Sequence, residues 1–178
     1  MKKFQNIIVA VSIAICFFGC EKDDICPETT PTTPRVIIEF FDKGNPTIAK
    51  KVTNLRVVGA PNTEGINFNP TLTGDLKFLA NVDRIALPLK TTSEITEYTF
   101  TLNAGADTPT AANADKLTVN YITQEIYVSR ACGYRTVFDL ADDTLIEDNS
   151  DTSRWIQNII VENYKIETEN EAHIKIYF

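Results

Sequence analysis

Glu97-Tyr98-Thr99-Phe100-Thr101-Leu102 alternates polar and apolar side chains without a break. Successive side chains of an extended strand point to opposite faces. Tyr98, Phe100 and Leu102 therefore predict a buried face, and Glu97, Thr99 and Thr101 a wetted one. The same period continues outward. Ile85, Leu87 and Leu89 alternate with Arg84, Ala86, Pro88 and Lys90. Pro88 has no N–H for a ladder, which places this strand at a sheet edge. Leu117, Val119 and Tyr121 alternate with Lys116, Thr118 and Asn120. Val36–Phe41, Leu55–Val58, the long run Glu125–Leu140 with a bend at Gly133, Trp155–Ile166 and Ala172–Phe178 bring the count to about eight strands. The loop Glu167-Thr168-Glu169-Asn170-Glu171 reads as the hairpin between the last two. No segment of ten or more residues carries a helical period. One-sided alternation predicts an all-β fold of antiparallel sheets around a shared core. An immunoglobulin-like β-sandwich suits a body of this size, with a small closed β-barrel as the alternative.

The N-terminus has a different composition. Lys2 and Lys3 precede an apolar run from Ile7 to Phe18 that only Ser12 interrupts, followed by Gly19 and Cys20. The run is too short for a bilayer core of ~30 Å at ~1.5 Å per helical residue. It reads as the apolar region of a signal peptide, residues 1–19. Phe17-Phe18-Gly19-Cys20 looks like a bacterial lipobox, which makes Cys20 the acylated first residue of the mature chain. Residues 20–34 hold three Pro and four Thr and read as an extended tether. A single domain, 35–178, follows.

Charge bounds the partners. The chain has 17 basic and 24 acidic residues, a formal charge of −7 that becomes −9 once Lys2 and Lys3 are removed. This excludes a nucleic-acid partner and is repelled by an anionic membrane surface. Membrane attachment is therefore expected through the acyl chains on Cys20. Seven Gly leave little material for a phosphate cradle, and one His excludes a histidine-clustered metal site.

Four cysteines are present. Cys16 leaves with the signal and Cys20 carries lipid, so Cys26 and Cys132 remain as an even pair in an oxidising compartment. A disulfide between them is expected, with a buried inert Cys132 and an exposed free Cys26 as the alternative.

Few constellations carry chemistry. Asp139, Asp142, Asp143, Glu147, Asp148 and Asp151 crowd six carboxylates into thirteen positions. Hard cations take several oxygen ligands, so Ca²⁺ is the one cofactor this stretch suggests. The order of acids and the central Gly of an EF-hand are absent, and a solvated acidic loop is the plainer reading. Arg130, with the parity of Ile126 and Val128, is expected to point inward. With Arg135 and the aromatic Tyr127 and Tyr134 it forms a possible anion or sugar contact. His173 shares the parity of Lys175 and is expected on the polar rim.

Three stretches also carry a resemblance. Glu21-Lys22-Asp23-Asp24 resembles the export signal of surface-displayed lipoproteins in the Bacteroidota. The opening Cys20-Glu21-Lys22-Asp23-Asp24-Ile25-Cys26-Pro27, the run Pro34-Arg35-Val36-Ile37-Ile38-Glu39-Phe40 and Val128-Ser129-Arg130-Ala131-Cys132-Gly133 resemble an uncharacterised Bacteroidota lipoprotein family known as a domain of unknown function. The resemblance implies a location and a shared fold, and brings no catalytic residues. The location implied is the outer membrane, lipid-anchored, at the cell surface more than on the periplasmic face. The function expected is a non-catalytic binding or envelope-structural module with an envelope protein or a glycan as partner. The alternative is a small cell-surface glycan hydrolase working through paired carboxylates.

Overall fold

The computed structural model describes residues 25–105, 112–141, 145–146 and 153–178. Eleven strands lie among them: β1 (Val36–Phe41), β2 (Leu55–Gly59), β3 (Leu79–Ala80), β4 (Arg84–Leu87), β5 (Ile95–Leu102), β6 (Asn113–Ser129), β7 (Gly133–Leu140), β8 (Leu145–Ile146), β9 (Asn158–Val161), β10 (Lys165–Ile166) and β11 (Ile174–Tyr177). The only other regular element among the described residues is a short 3-10 helix, Gly74–Phe78. The fold is all-β, as the alternation predicts.

The strands form two sheets and no closed barrel. One has the order β4-β1-β11-β9. The other has the order β10-β7-β6-β5-β2-β3, with β8 also paired to β6. Strand β4 is an edge, as Pro88 requires. One pairing departs from the antiparallel expectation: β1 and β11 run parallel, with Ile38 opposite Ile174 and Phe40 opposite Ile176. First and last strands are joined through the chain between them, so no hairpin dictates their direction.

The chain divides into two units. One comprises residues 1–30 and 127–134, the other 31–126 and 135–178; β6 and β7 contribute to both. The larger unit holds the core. Val36, Ile38 and Phe40 of β1, Leu87 of β4 and Ile174 and Ile176 of β11 meet Leu55 and Val57 of β2, Phe100 of β5 and Leu117 and Val119 of β6. All of these are fully buried in one cluster. Burying each such side chain stabilises the fold by roughly 1.5–3 kcal/mol before entropy is counted. Trp155 closes one end of the cluster, its ring edge-on to Phe178 and its indole N–H donating to the Phe100 carbonyl at 3.2 Å.

Two further expectations need correction. Glu125–Leu140 is not one bent strand. Residues 130–132 form a turn between β6 and β7, in which Gly133 takes φ +69° and Ser129 Oγ accepts the Cys132 N–H at 3.0 Å. Nor is 167–171 the loop of a hairpin. Strand β10 pairs with β7, Ile166 opposite Phe138, while β11 pairs with β9 in the other sheet. Burial of Ile166 beneath the seven-stranded sheet draws β10 away from β11.

Two arginines hold the crossing loop. The Arg35 guanidinium grips the Glu169 carboxylate with two bonds, 2.9 and 2.6 Å, and its backbone N–H adds a third at 3.0 Å. Arg84 donates to the Glu169 and Asn170 carbonyls at 2.9 and 3.2 Å.

Candidate functional site

A groove of about 770 Å³ lies in the larger unit, between the loop Gly59–Ile66 and the segment Pro88–Lys90, with Thr96 and Tyr98 also lining it. Its shape follows from close approaches. A Cβ on Gly65 would meet Phe78 Cβ at 3.0 Å and Arg56 Nε at 3.2 Å, so a side chain there would have to push these two neighbours aside.

The opposite wall is pinned by two phenols. Tyr98 Oη donates to the Pro88 carbonyl. Tyr121 Oη donates to the Lys90 carbonyl at 2.9 Å and lies 2.6 Å from Thr96 Oγ1. A phenol has one proton, and Tyr121 spends it on Lys90, so Thr96 donates to Tyr121. Thr96 Oγ1 in turn accepts the Lys90 N–H at 3.1 Å. The three bonds among Lys90, Thr96 and Tyr121 form a closed ring in which each donor polarises the next. Burial pushes the Tyr98 hydroxyl well above the ordinary phenol range, with Tyr121 nearby adding to it. Burial also raises Tyr121, against its bonds to Thr96 and Lys90. Both stay protonated at neutral pH, and each hydroxyl proton is held by a backbone carbonyl.

A second hollow of about 400 Å³ meets the first at Ile66 and Pro88 and runs beside the free edge of β4. Arg35 and Arg84 face it, with Asn67, Asn69 and Asn81. Together the hollows make a trough of mixed polar and apolar lining that can receive hydrogen-bonding partners.

The residues singled out in the sequence are not gathered in the trough. Tyr127 and Tyr134 belong to the smaller unit. Their rings meet edge-to-face, centroids 5.3 Å apart, and both are exposed, 58% and 66%. Arg130 is also exposed, contrary to the inward orientation expected, because the strand ends at Ser129 and its parity ends with it. Arg135, in the larger unit, donates to the Glu167 carbonyl at 2.9 Å. Cys26 and Cys132 are bridged, with Cα atoms 4.9 Å apart. Of the acidic stretch, Asp139 lies on β7 opposite Lys165; Asp142, Asp143, Glu147, Asp148 and Asp151 lie outside the described residues. So do the signal segment 1–19, Cys20 and Glu21–Asp24. Among the described residues no group of three metal-ligating side chains occurs.

His173 overturns the expectation of a rim position. It is 1% exposed, its Nδ1 accepts the Ile37 N–H at 2.9 Å, and its own N–H donates to the Ile37 carbonyl at 2.9 Å. An accepting Nδ1 puts the proton of the neutral ring on Nε2. Burial lowers its basicity, the Arg84 charge lowers it further, and the Thr168 backbone, Glu169 and Glu171 oppose them. The ring completes a backbone ladder and has no free lone pair to serve as a base. Among the described residues two carboxyls are displaced from their usual range, Glu169 by its bond to Arg35 and Asp42 by its bond to Lys50, both downward. Neither offers the raised carboxyl that glycoside hydrolysis asks of its acid.

Sequence reasoning missed the trough. Thr96, Tyr98 and Tyr121 read as ordinary strand positions. The available signal was the break in alternation at Pro61-Asn62-Thr63-Glu64-Gly65, with Pro88 in the facing segment.

A family model described as a family of unknown function (DUF6452) matches residues 54–178. No curated protein and no solved structure matches the chain.

Proposed function

We propose, given that the chain belongs to the DUF6452 family of unknown function, that it is an exported binding module held in the outer membrane through an acylated Cys20, without catalysis of its own. The observation that carries the reading is the Cys26–Cys132 bridge. Disulfides persist in oxidising compartments and are rare in reducing ones. The basic pair, the apolar run Ile7–Phe18 and Gly19-Cys20 supply the route to such a compartment. The trough, with its mixed lining, is the surface on which the module would hold an envelope protein or a glycan. Its tyrosines are clasped and neutral, which suits recognition better than bond breaking.

The test is Cys20→Ser. The variant should leave the membrane fraction or accumulate as an uncleaved precursor. A variant that is cleaved normally and stays membrane-bound refutes the reading. Protease added to whole cells decides the face: digestion means the outer surface, and digestion only after lysis means the periplasm.

A further inference from the structure

The smaller unit presents apolar and aromatic surface to solvent at one place. Tyr127 on β6 and Tyr134 on β7 stand exposed on the two strands flanking the hairpin turn, ring against ring. Arg130 is exposed in the turn itself. Ile25, 81% exposed, directly precedes Cys26, and Cys26 is bonded to Cys132 in that turn. An exposed Ile next to the bridge, with two exposed Tyr and an Arg on the hairpin that the bridge holds, has the composition of a surface that sits at a water–lipid boundary. Tyrosine places an apolar ring at headgroup depth with its hydroxyl in water, and arginine carries its charge out to the phosphates on a long apolar stem.

Chain length says what covers this surface. Five residues, 21–25, separate Cys20 from Cys26, and the six steps between the two reach about 20 Å fully extended. Through the backbone alone the hairpin turn would lie 106 residues further on. The bridge removes that slack. With Cys20 acylated, the turn is tied to within about 20 Å of the headgroups.

We propose that Tyr127, Tyr134, Ile25 and Arg130 form a docking surface for the lipid bilayer, so that the hairpin turn rests in the membrane interface beside the acyl anchor. This rests on the anchoring of Cys20 proposed above. It adds that the protein meets the membrane at two points, the anchor and the hairpin.

The experiment uses the full acylated chain carrying Tyr134→Trp, reconstituted in vesicles of the zwitterionic lipids phosphatidylethanolamine and phosphatidylcholine with acyl chains brominated close to the glycerol. The unsubstituted chain, whose one indole is the buried Trp155, supplies the background. The introduced indole should shift to the blue and lose most of its emission on brominated vesicles. Tyr127→Trp, read the same way, guards against a local effect at one position. Emission unchanged in both variants, while the chain floats with the vesicles and mass spectrometry finds the acyl group on Cys20, overturns the docking surface and leaves the anchoring intact. Absence of the acyl group, with no flotation, overturns the anchoring and this inference with it. Protection of the turn in intact envelopes but no lipid quenching in vesicles assigns the surface to a protein or glycan partner, and equally overturns the proposal.

Discussion

Acid should weaken this protein through one side chain before its carboxylates begin to titrate. His173 is the single histidine, buried, with Nδ1 accepting the Ile37 N–H. Protonating Nδ1 would set a donor against a donor. Burial and Arg84 already hold the folded-state value below the ordinary 6.5. The unfolded chain, at about 6.5, therefore binds the proton first. The contribution of the neutral ring is whole above that value and is lost as the pH falls below it, until the folded-state value is reached. The slope there approaches 1.4 kcal/mol per pH unit, one proton's worth. Over one unit that corresponds to roughly 3–6 °C of melting temperature for a domain of this size. Urea denaturation between pH 7.5 and 5.5 measures it directly. Glu169, held low by Arg35, does not enter until more acid conditions. His173→Asn is the control, since its Oδ1 can accept the Ile37 N–H without titrating. It should be less stable at pH 7.5 by about 1 kcal/mol for the Nε2–H bond it lacks, and flat down to pH 5.5. Because no other imidazole exists, the ring resonances need no assignment and should not titrate near 6.5 in the folded protein. A wild type without slope in this window, or a His173→Asn variant that keeps it, refutes the reasoning.

Two further outcomes follow from the same structure. Replacing Cys26 and Cys132 together by Ser should destabilise the chain by up to about 4.7 kcal/mol, the loop-closure value for 106 residues; a loss under about 1 kcal/mol by denaturant melting would show the bridge constrains little. Tyr121→Phe should cost about 1–2 kcal/mol, because the Lys90 carbonyl and the Thr96 hydroxyl lose their shared partner. It should also speed hydrogen exchange at the Lys90 amide, and an unchanged rate would mean the ring of bonds does not hold that wall.

Strand positions were legible wherever one face is dry and the other wet, as at Tyr98, Phe100 and Leu102. The edge position of β4 was legible from Pro88 alone, since the absence of an N–H is a local fact. The cysteine pair was legible by elimination. The rest depended on contacts far apart in sequence. His173 has the parity of an outward residue, and only its bond to Ile37, 136 positions away, takes the ring out of water. Ile166 gives no sign of which sheet it joins, because its burial is set by Phe138. Arg130 was misread because parity was carried past the end of β6, where a turn without an Asn-Gly signal intervenes. The trough escaped notice because Thr96 and Tyr121 look like strand residues until the Lys90 backbone is seen between them.

The parallel pairing of β1 with β11 also sets an order of events in time. Ile38 finds its neighbour at Ile174, so the middle of the four-stranded sheet cannot zip until residues 174–177 have left the ribosome. Until then β1 has only the short β4 beside it. Contacts this distant make folding slow, since a long loop must close before any of them forms. In a nascent chain of this topology the four-stranded sheet stays open until residues 174–177 emerge, and an unfinished fold is the condition in which a polypeptide can still be threaded end-on through a narrow pore.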